Sequence, residues 1–180
     1  MKMKISEKVS IPEGVECIYE EHSLKCKKGS VEISKKIIIP GVTVLVKNNE
    51  INFESNKANK NEKKKIYSYK AHLKNLFKGL DKKFIYKLEA CNVHFPMSLK
   101  KEGSKIIINN FLGEKIPRIA EILPSVEVEI KGNQITVSSH NKEAAGQTAA
   151  NLEYATKVRA RDRRIFQDGI FITSKGGDEK

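Results

Sequence analysis

A chain of 180 residues with 39% hydrophobic and 31% charged side chains suits two modules of roughly 80 to 90 residues better than one large core. The 34 basic residues outnumber the 22 acidic ones and leave a formal charge of +12, which points to a polyanionic partner. No stretch has the roughly 20 apolar residues that cross a bilayer, so no membrane role is expected, and the opening MKMKISEKVS lacks the apolar run of a secretory leader.

In the first half, Val15, Cys17 and Tyr19 fall at every second position, and Ser23 to Lys28 returns after a short polar turn, closed by Gly29. This hairpin makes Cys17 and Cys26 candidate cross-strand neighbours, although packing of reduced thiols is the simpler role. Next, Val42, Val44 and Val46 alternate with Thr43, Leu45 and Lys47, and Asn48-Asn49 turns the chain into Ile51 and Phe53. Period-two alternation broken by Asn is a hairpin signal. The stretch Asn56 to Lys65 is polar and reads as a loop or the start of a helix. From there Ile66, Tyr69, Leu73, Leu76, Phe77 and Leu80 recur at helical spacing, with Gly79 as the terminator.

The second half follows the same plan. Strands are expected near Lys83 to Cys91 and at Ile106 to Ile108. A hairpin of Val126, Val128 and Ile130 turns at Lys131-Gly132-Asn133 into Ile135 and Val137. A helix starts near Asn141, a good N-cap, and runs to about Lys157. Pro40 matches Pro124, the three valines match Val126, Val128 and Ile130, and Ile51 and Phe53 match Ile135 and Val137. The expected fold class is therefore α+β, with two duplicated domains, each a small antiparallel sheet packed against one main helix. The boundaries are 1–80 for the first repeat, 81–173 for the second and 174–180 for a flexible tail.

Signals for catalysis are weak. The four histidines are scattered, the cysteines lack zinc spacing, and there is no phosphate loop or nucleophile elbow. No cofactor, no metal and no enzymatic activity are expected.

Arginine is more informative. Only five are present, Arg118, Arg159, Arg161, Arg163 and Arg164, and four of them crowd one short stretch. Arginine grips phosphate with a planar fork where lysine is a hydrated point charge. In an extended segment Arg159, Arg161 and Arg163 would face one way, anchored by Ile165, Phe166, Gly169, Ile170 and Phe171. The helix before them is crowded with Ala144, Ala145, Gly146, Thr148, Ala149 and Ala150. Ala145, Ala149, Leu152 and Thr156 form the sheet-facing stripe, which leaves Gly146, Gln147, Ala150, Asn151 and Tyr154 exposed or facing a partner. Gly146 fits close approach of an RNA backbone or tight packing on the sheet. The loop from Asn110 through Lys115 to Arg118 is a second candidate surface, with Phe111 as a core residue or a stacking platform.

Several stretches together resemble one family: NVHFPMSLK at Asn92 to Lys100, NFLGEKIPR at Asn110 to Arg118, and GQTAANLEYATKVRARDRRIFQDGIFI at Gly146 to Ile172. With AHLKNLFKGL at Ala71 to Leu80 and PEGVE at Pro12 to Glu16, the likeness spans nearly the whole chain. It is to ribosomal protein six of the large subunit, in its archaeal and eukaryotic form. The resemblance implies a cytoplasmic ribosomal protein with two duplicated α+β domains and no activity of its own. It would bind large-subunit rRNA through the second domain, near the elongation-factor binding region and the sarcin–ricin loop. Neighbouring large-subunit proteins, and transiently elongation factors, are the other implied partners. Mapped onto matching positions, the RNA-facing candidates are Gln147, Asn151, Lys157, Arg159, Arg161, Arg163 and Arg164, with Lys115 and Arg118 on a second surface. The alternative readings are a protein-interaction scaffold with a Lys-rich contact surface in the first half, and a small-molecule enzyme with a site between the domains.

Overall fold

The computed structural model describes residues 3–47 and 49–176, and the chain divides into two units between Lys82 and Lys83. In the first unit, β1 (Met3–Ser10), β6 (Glu50–Ala58) and β5 (Thr43–Lys47) make an antiparallel sheet in the order β1-β6-β5. A second sheet joins β2 (Glu16–Glu20), β3 (Ser23–Lys28) and β4 (Val31–Lys36) in sequence order. Helix α1 (Lys60–Asp81) packs Ile66, Leu73, Leu76, Phe77 and Leu80 into the core with Ile51, Phe53, Leu24 and Cys26. Burial of each such aliphatic or aromatic side chain stabilises the unit by roughly 1.5–3 kcal/mol.

The second unit repeats the order. Strands β7 (Phe84–Cys91), β12 (Gln134–Ser139) and β11 (Glu127–Lys131) reproduce β1-β6-β5, and β13 (Gly169–Ser174) adds a fourth strand beside β7. A second sheet of β8 (Ser98–Glu102), β9 (Lys105–Asn109) and β10 (Arg118–Glu121) reproduces the β2-β3-β4 meander. Helix α2 (Lys142–Ala155) takes the place of α1.

The duplication extends to single bonds. Val44 faces Phe53 and Val46 faces Ile51 in one hairpin; Val128 faces Val137 and Ile130 faces Ile135 in the other. The Ser55 hydroxyl donates to the Gly41 carbonyl at 2.7 Å, and the Ser139 hydroxyl donates to the Ser125 carbonyl at 2.7 Å. Both acceptors follow a matched proline and hold positive φ, +73° at Gly41 and +62° at Ser125.

The helix ends differ in how legible they are. Asn141 caps α2 as expected, its side-chain oxygen accepting the Glu143 and Ala144 N–H groups at 3.0 and 3.4 Å. Helix α1 begins at Lys60, with the Glu62 carboxylate accepting the Asn59 N–H, so most of the polar 56–65 stretch is helix. Gly79 does not terminate α1. It is buried within the helix, which continues to Asp81 and leaves through Lys82 in an extended conformation.

Strands β1, β4, β8, β10 and β13 were not expected from the sequence. In β1, β4 and β8, lysine, glutamate and serine hold most exposed positions and mask the alternation, as in β1, where Ile5, Glu7 and Val9 share a period of two between Lys4, Ser6 and Lys8. At the far end, Ser174 closes β13 and Gly176 is buried beside Phe84 and Tyr86. These residues belong to the packed unit, and the rest of the expected tail, residues 177–180, lies outside the described residues.

Candidate nucleic-acid interface

The arginine-rich segment leaves the C-terminus of α2 and returns as β13. Its first anchor is Thr156. The buried Thr156 hydroxyl accepts the Ile170 N–H at 2.8 Å and donates to the Leu152 carbonyl at 3.3 Å, joining the last helical turn to the strand. Between these points the chain is not extended. Ala160 has φ +54°, and Asp162 opens a turn, its carboxylate accepting the Arg164 N–H at 2.9 Å while its carbonyl accepts from Phe166 at 2.9 Å. The expected row in which Arg159, Arg161 and Arg163 share a face therefore does not form. A left-handed residue followed by a turn breaks the period-two alternation that such a row needs.

The second anchor is Asp168, only 4% exposed. Its carboxylate accepts the Val93 N–H, the His94 N–H at 3.2 Å and the His94 Nδ1 at 2.7 Å. Burial pushes the Asp168 carboxyl up, but these hydrogen bonds and the His94 charge outweigh it and hold the group below its usual range. The His94 ring also stacks on Phe166, with centroids 5.0 Å apart, and the Arg161 guanidinium lies 4.8 Å from the same Phe166 centroid. Asp168 thus ties Val93 and His94 to the arginine segment, and Phe166 lies in contact with both His94 and Arg161.

Two of the remaining cations sit beside an aromatic ring. Lys157 and Arg159 lie 5.9 and 5.7 Å from the ring centroid of Tyr154, itself 63% exposed. Arg159, Arg161, Arg163 and Arg164 are all exposed. Among the described residues none of the four has a carboxylate within ion-pair distance. Stacking on a ring restrains a guanidinium while leaving its N–H groups available to an acceptor.

Arg118 is different. Its Nε and Nη2 donate to both oxygens of Glu114 at 2.8 and 2.6 Å, and its Nη1 donates to the Ala155 and Lys157 carbonyls at 2.9 and 3.1 Å. The guanidinium lies 4.2 Å from the Phe111 centroid, and Phe111 is buried at 1% exposure. The hydrogen bond from Arg118 holds the Glu114 carboxyl below its usual range, with Arg161 adding to the effect, so the two candidate surfaces are electrostatically joined. Arg118, expected on the RNA-facing surface, closes the end of α2 and pins the 110–118 loop. Phe111 is a core residue rather than a stacking platform. Lys115 is exposed at the loop's tip.

Gln147 and Asn151 lie along α2, where Gln147 Nε2 donates to Asn151 Oδ1 at 2.9 Å and Asn151 Nδ2 donates to the Glu121 carbonyl at 3.1 Å. Asn151 is therefore tied to β10, and Gln147 is the exposed member of the pair. An open groove of about 1140 Å³ brings Gln147, Asn151, Tyr154, Lys157, Arg163 and Phe171 together. Arg159, Arg161, Arg164, Lys115 and Arg118 lie outside its lining.

Gly146 is explained by packing. A Cβ there would sit 3.0 Å from the Tyr86 hydroxyl, so the residue lets α2 settle on β7. Of the proposed apolar anchors, Ile170 is buried and Phe166 half-buried, but Ile165 is exposed. It joins Val93, Phe95 and Ile116 as exposed apolar residues in the loops that carry the motifs. The parts missed from sequence are His94, Asp168 and the carboxylate of Glu114, whereas Tyr154 is exposed as expected. Both members of the His94–Asp168 pair stand in recognisable motifs, but nothing local pairs residues so far apart.

Comparison with known proteins agrees with this arrangement of motifs. A family model described as Ribosomal protein L6 matches residues 95–169, from the His94 loop to the start of β13. Large ribosomal subunit protein uL6 of Methanococcus vannielii is 40% identical over 173 residues, covering 96% of this chain and 95% of that protein. The uL6 protein of Methanobrevibacter smithii is 40% identical, covering 95% of this chain and 96% of its own length. That of Methanosarcina mazei is 42% identical, covering 97% and 99%. With the duplicated fold and near-complete coverage of both chains, these findings make this protein a member of the uL6 family of large ribosomal subunit proteins.

Proposed function

We propose that the second unit docks on folded large-subunit rRNA through the segment that follows α2. As a uL6 family member the chain is a structural constituent of the large ribosomal subunit in the cytoplasm, serves translation and is not an enzyme. The finer reading assigns phosphate contacts to Lys115, Lys157, Arg159, Arg161, Arg163 and Arg164, and a polar contact to Gln147. Asn151 and Arg118 hold that surface in place. Recognition is by shape and backbone charge rather than by sequence. The docked position is near the elongation-factor binding region and the sarcin–ricin loop. Neighbouring large-subunit proteins, and transiently elongation factors, are the other partners on this reading.

The observation that carries the proposal is the set of four exposed arginines that have no carboxylate within ion-pair distance among the described residues, on a segment anchored at both ends by the buried groups Thr156 and Asp168. A free basic tail would need neither anchor. The test is binding of the full chain to large-subunit rRNA fragments across a salt series. The wild-type chain should lose log affinity by about 0.7–0.9 per neutralised phosphate for each decade of salt. Replacing Arg159, Arg161, Arg163 and Arg164 with Ala should weaken binding and reduce that slope by about 3. Unchanged affinity and slope would place the interface elsewhere.

A further inference from the structure

We infer that Cys17 and Cys26 form a redox-responsive pair, which a small disulfide oxidant such as oxidised glutathione converts into a cystine across the β2–β3 hairpin. This does not rest on the RNA-binding proposal. The two residues oppose each other directly in the antiparallel register, and their sulfurs are 2.7 Å apart. Opposed residues of an antiparallel pair have Cα atoms about 4.5–5.5 Å apart, inside the range of about 4.4–6.8 Å that a disulfide spans. The backbone already satisfies the geometry, so only a small side-chain rotation separates dithiol from cystine.

The two thiols are not equivalent. Cys26 is fully buried beneath α1 with Leu24, whereas Cys17 is partly exposed on the edge strand β2. The hydrogen bond between the two thiols lowers the Cys17 thiol below its ordinary value, while the same contact and burial push Cys26 up. Cys17 is thereby the attacking group and Cys26 the resolving one. In the first step the Cys17 thiolate attacks one sulfur of oxidised glutathione and expels a glutathione thiolate, leaving a mixed disulfide on Cys17. In the second, Cys26 attacks the Cys17 sulfur, its proton passes to solvent, and the second glutathione thiolate leaves. Two protein thiols are oxidised and one glutathione disulfide is reduced to two thiols, so atoms and electrons balance. The bond would tie the edge strand β2, which among the described residues pairs only with β3, to the core of its unit.

The experiment uses the full-length reduced chain with oxidised glutathione. Of its three cysteines, two should disappear from the thiol titre, and peptide mapping should recover a Cys17–Cys26 crosslink. Cys91→Ser should leave this unchanged, and Cys17→Ser should abolish it. The oxidised form should unfold about 10 °C higher in its first unit, because the bond closes a short loop in the unfolded chain. Preferential modification of Cys91, or a stable glutathione adduct on Cys17 that Cys26 never resolves, would overturn the inference. So would a crosslinked form that melts no higher than the reduced one, since the cystine would then not fit the native hairpin.

Discussion

Asp168 Oδ2 and His94 Nδ1 meet at 2.7 Å across 74 residues of sequence, and this contact joins the loop before β8 to the segment that carries the arginines. The Asp168 carboxyl is held below its usual value of 3.8 when folded. A depressed carboxyl contributes stability that is complete above its unfolded value and is lost as pH falls through the folded one. The second unit should therefore lose stability as the medium becomes more acid than about pH 4. Asp168→Asn should remove that contribution and cost about 1–3 kcal/mol at neutral pH. Urea unfolding of both proteins from pH 7 down to pH 2 checks it; parallel pH profiles would rule the pair out as a source of stability.

Arg118 and Lys115 are near neighbours with different surroundings, Arg118 held by Glu114 and two carbonyls and Lys115 exposed. Arg118→Ala removes a two-pronged bond to Glu114 and the donors to two helix-end carbonyls, which should cost about 1–3 kcal/mol of stability. It should weaken RNA binding by loosening the loop, yet leave the salt slope near that of the wild type. Lys115→Ala should leave stability unchanged and lower the slope by about 0.7–0.9. Melting curves together with salt titrations separate the two; a slope change in the Arg118 variant would make it a direct phosphate contact.

Gly146 sits in α2 at a cost of about 1 kcal/mol in helix propensity relative to Ala. The alanine methyl would press on the Tyr86 hydroxyl at 3.0 Å. Gly146→Ala should therefore destabilise the second unit in the wild-type background and stabilise it once Tyr86→Phe has removed the hydroxyl. A double-mutant cycle measures the coupling, and additive effects would show that the contact does not set the helix-to-sheet distance.

Ser55 and Ser139 make the same buried hydrogen bond in the two repeats. Ser55→Ala and Ser139→Ala should each leave a turn carbonyl without its partner and cost about 1–2 kcal/mol. Unfolding followed by hydrogen exchange should localise each loss to its own unit. A loss confined to one variant would mean that the two turns, though alike in geometry, differ in importance.

The hairpins, the two helices and their duplication were legible because each rests on a local period. Val44, Val46, Ile51 and Phe53 alternate, and so do Val128, Ile130, Ile135 and Val137; the α1 stripe and the Asn141 cap are also local signals. Strands β1 and β8 were not legible. Their exposed lysines obscure the alternation, and they become strands only by pairing with β6 and β9.

Amino-acid order alone determined that this chain is basic, duplicated and equipped with one dense arginine cluster, since charge, repeats and periodic burial are properties of neighbours along the chain. Tertiary structure decided what surrounds each arginine, because that depends on partners far away in sequence: the His94 ring, held by Asp168, that stacks on the Phe166 under Arg161, and the carbonyls of Ala155 and Lys157 that take Arg118 inward. A guanidinium's role is set by the acceptors that surround it in space, and folding is what brings them there.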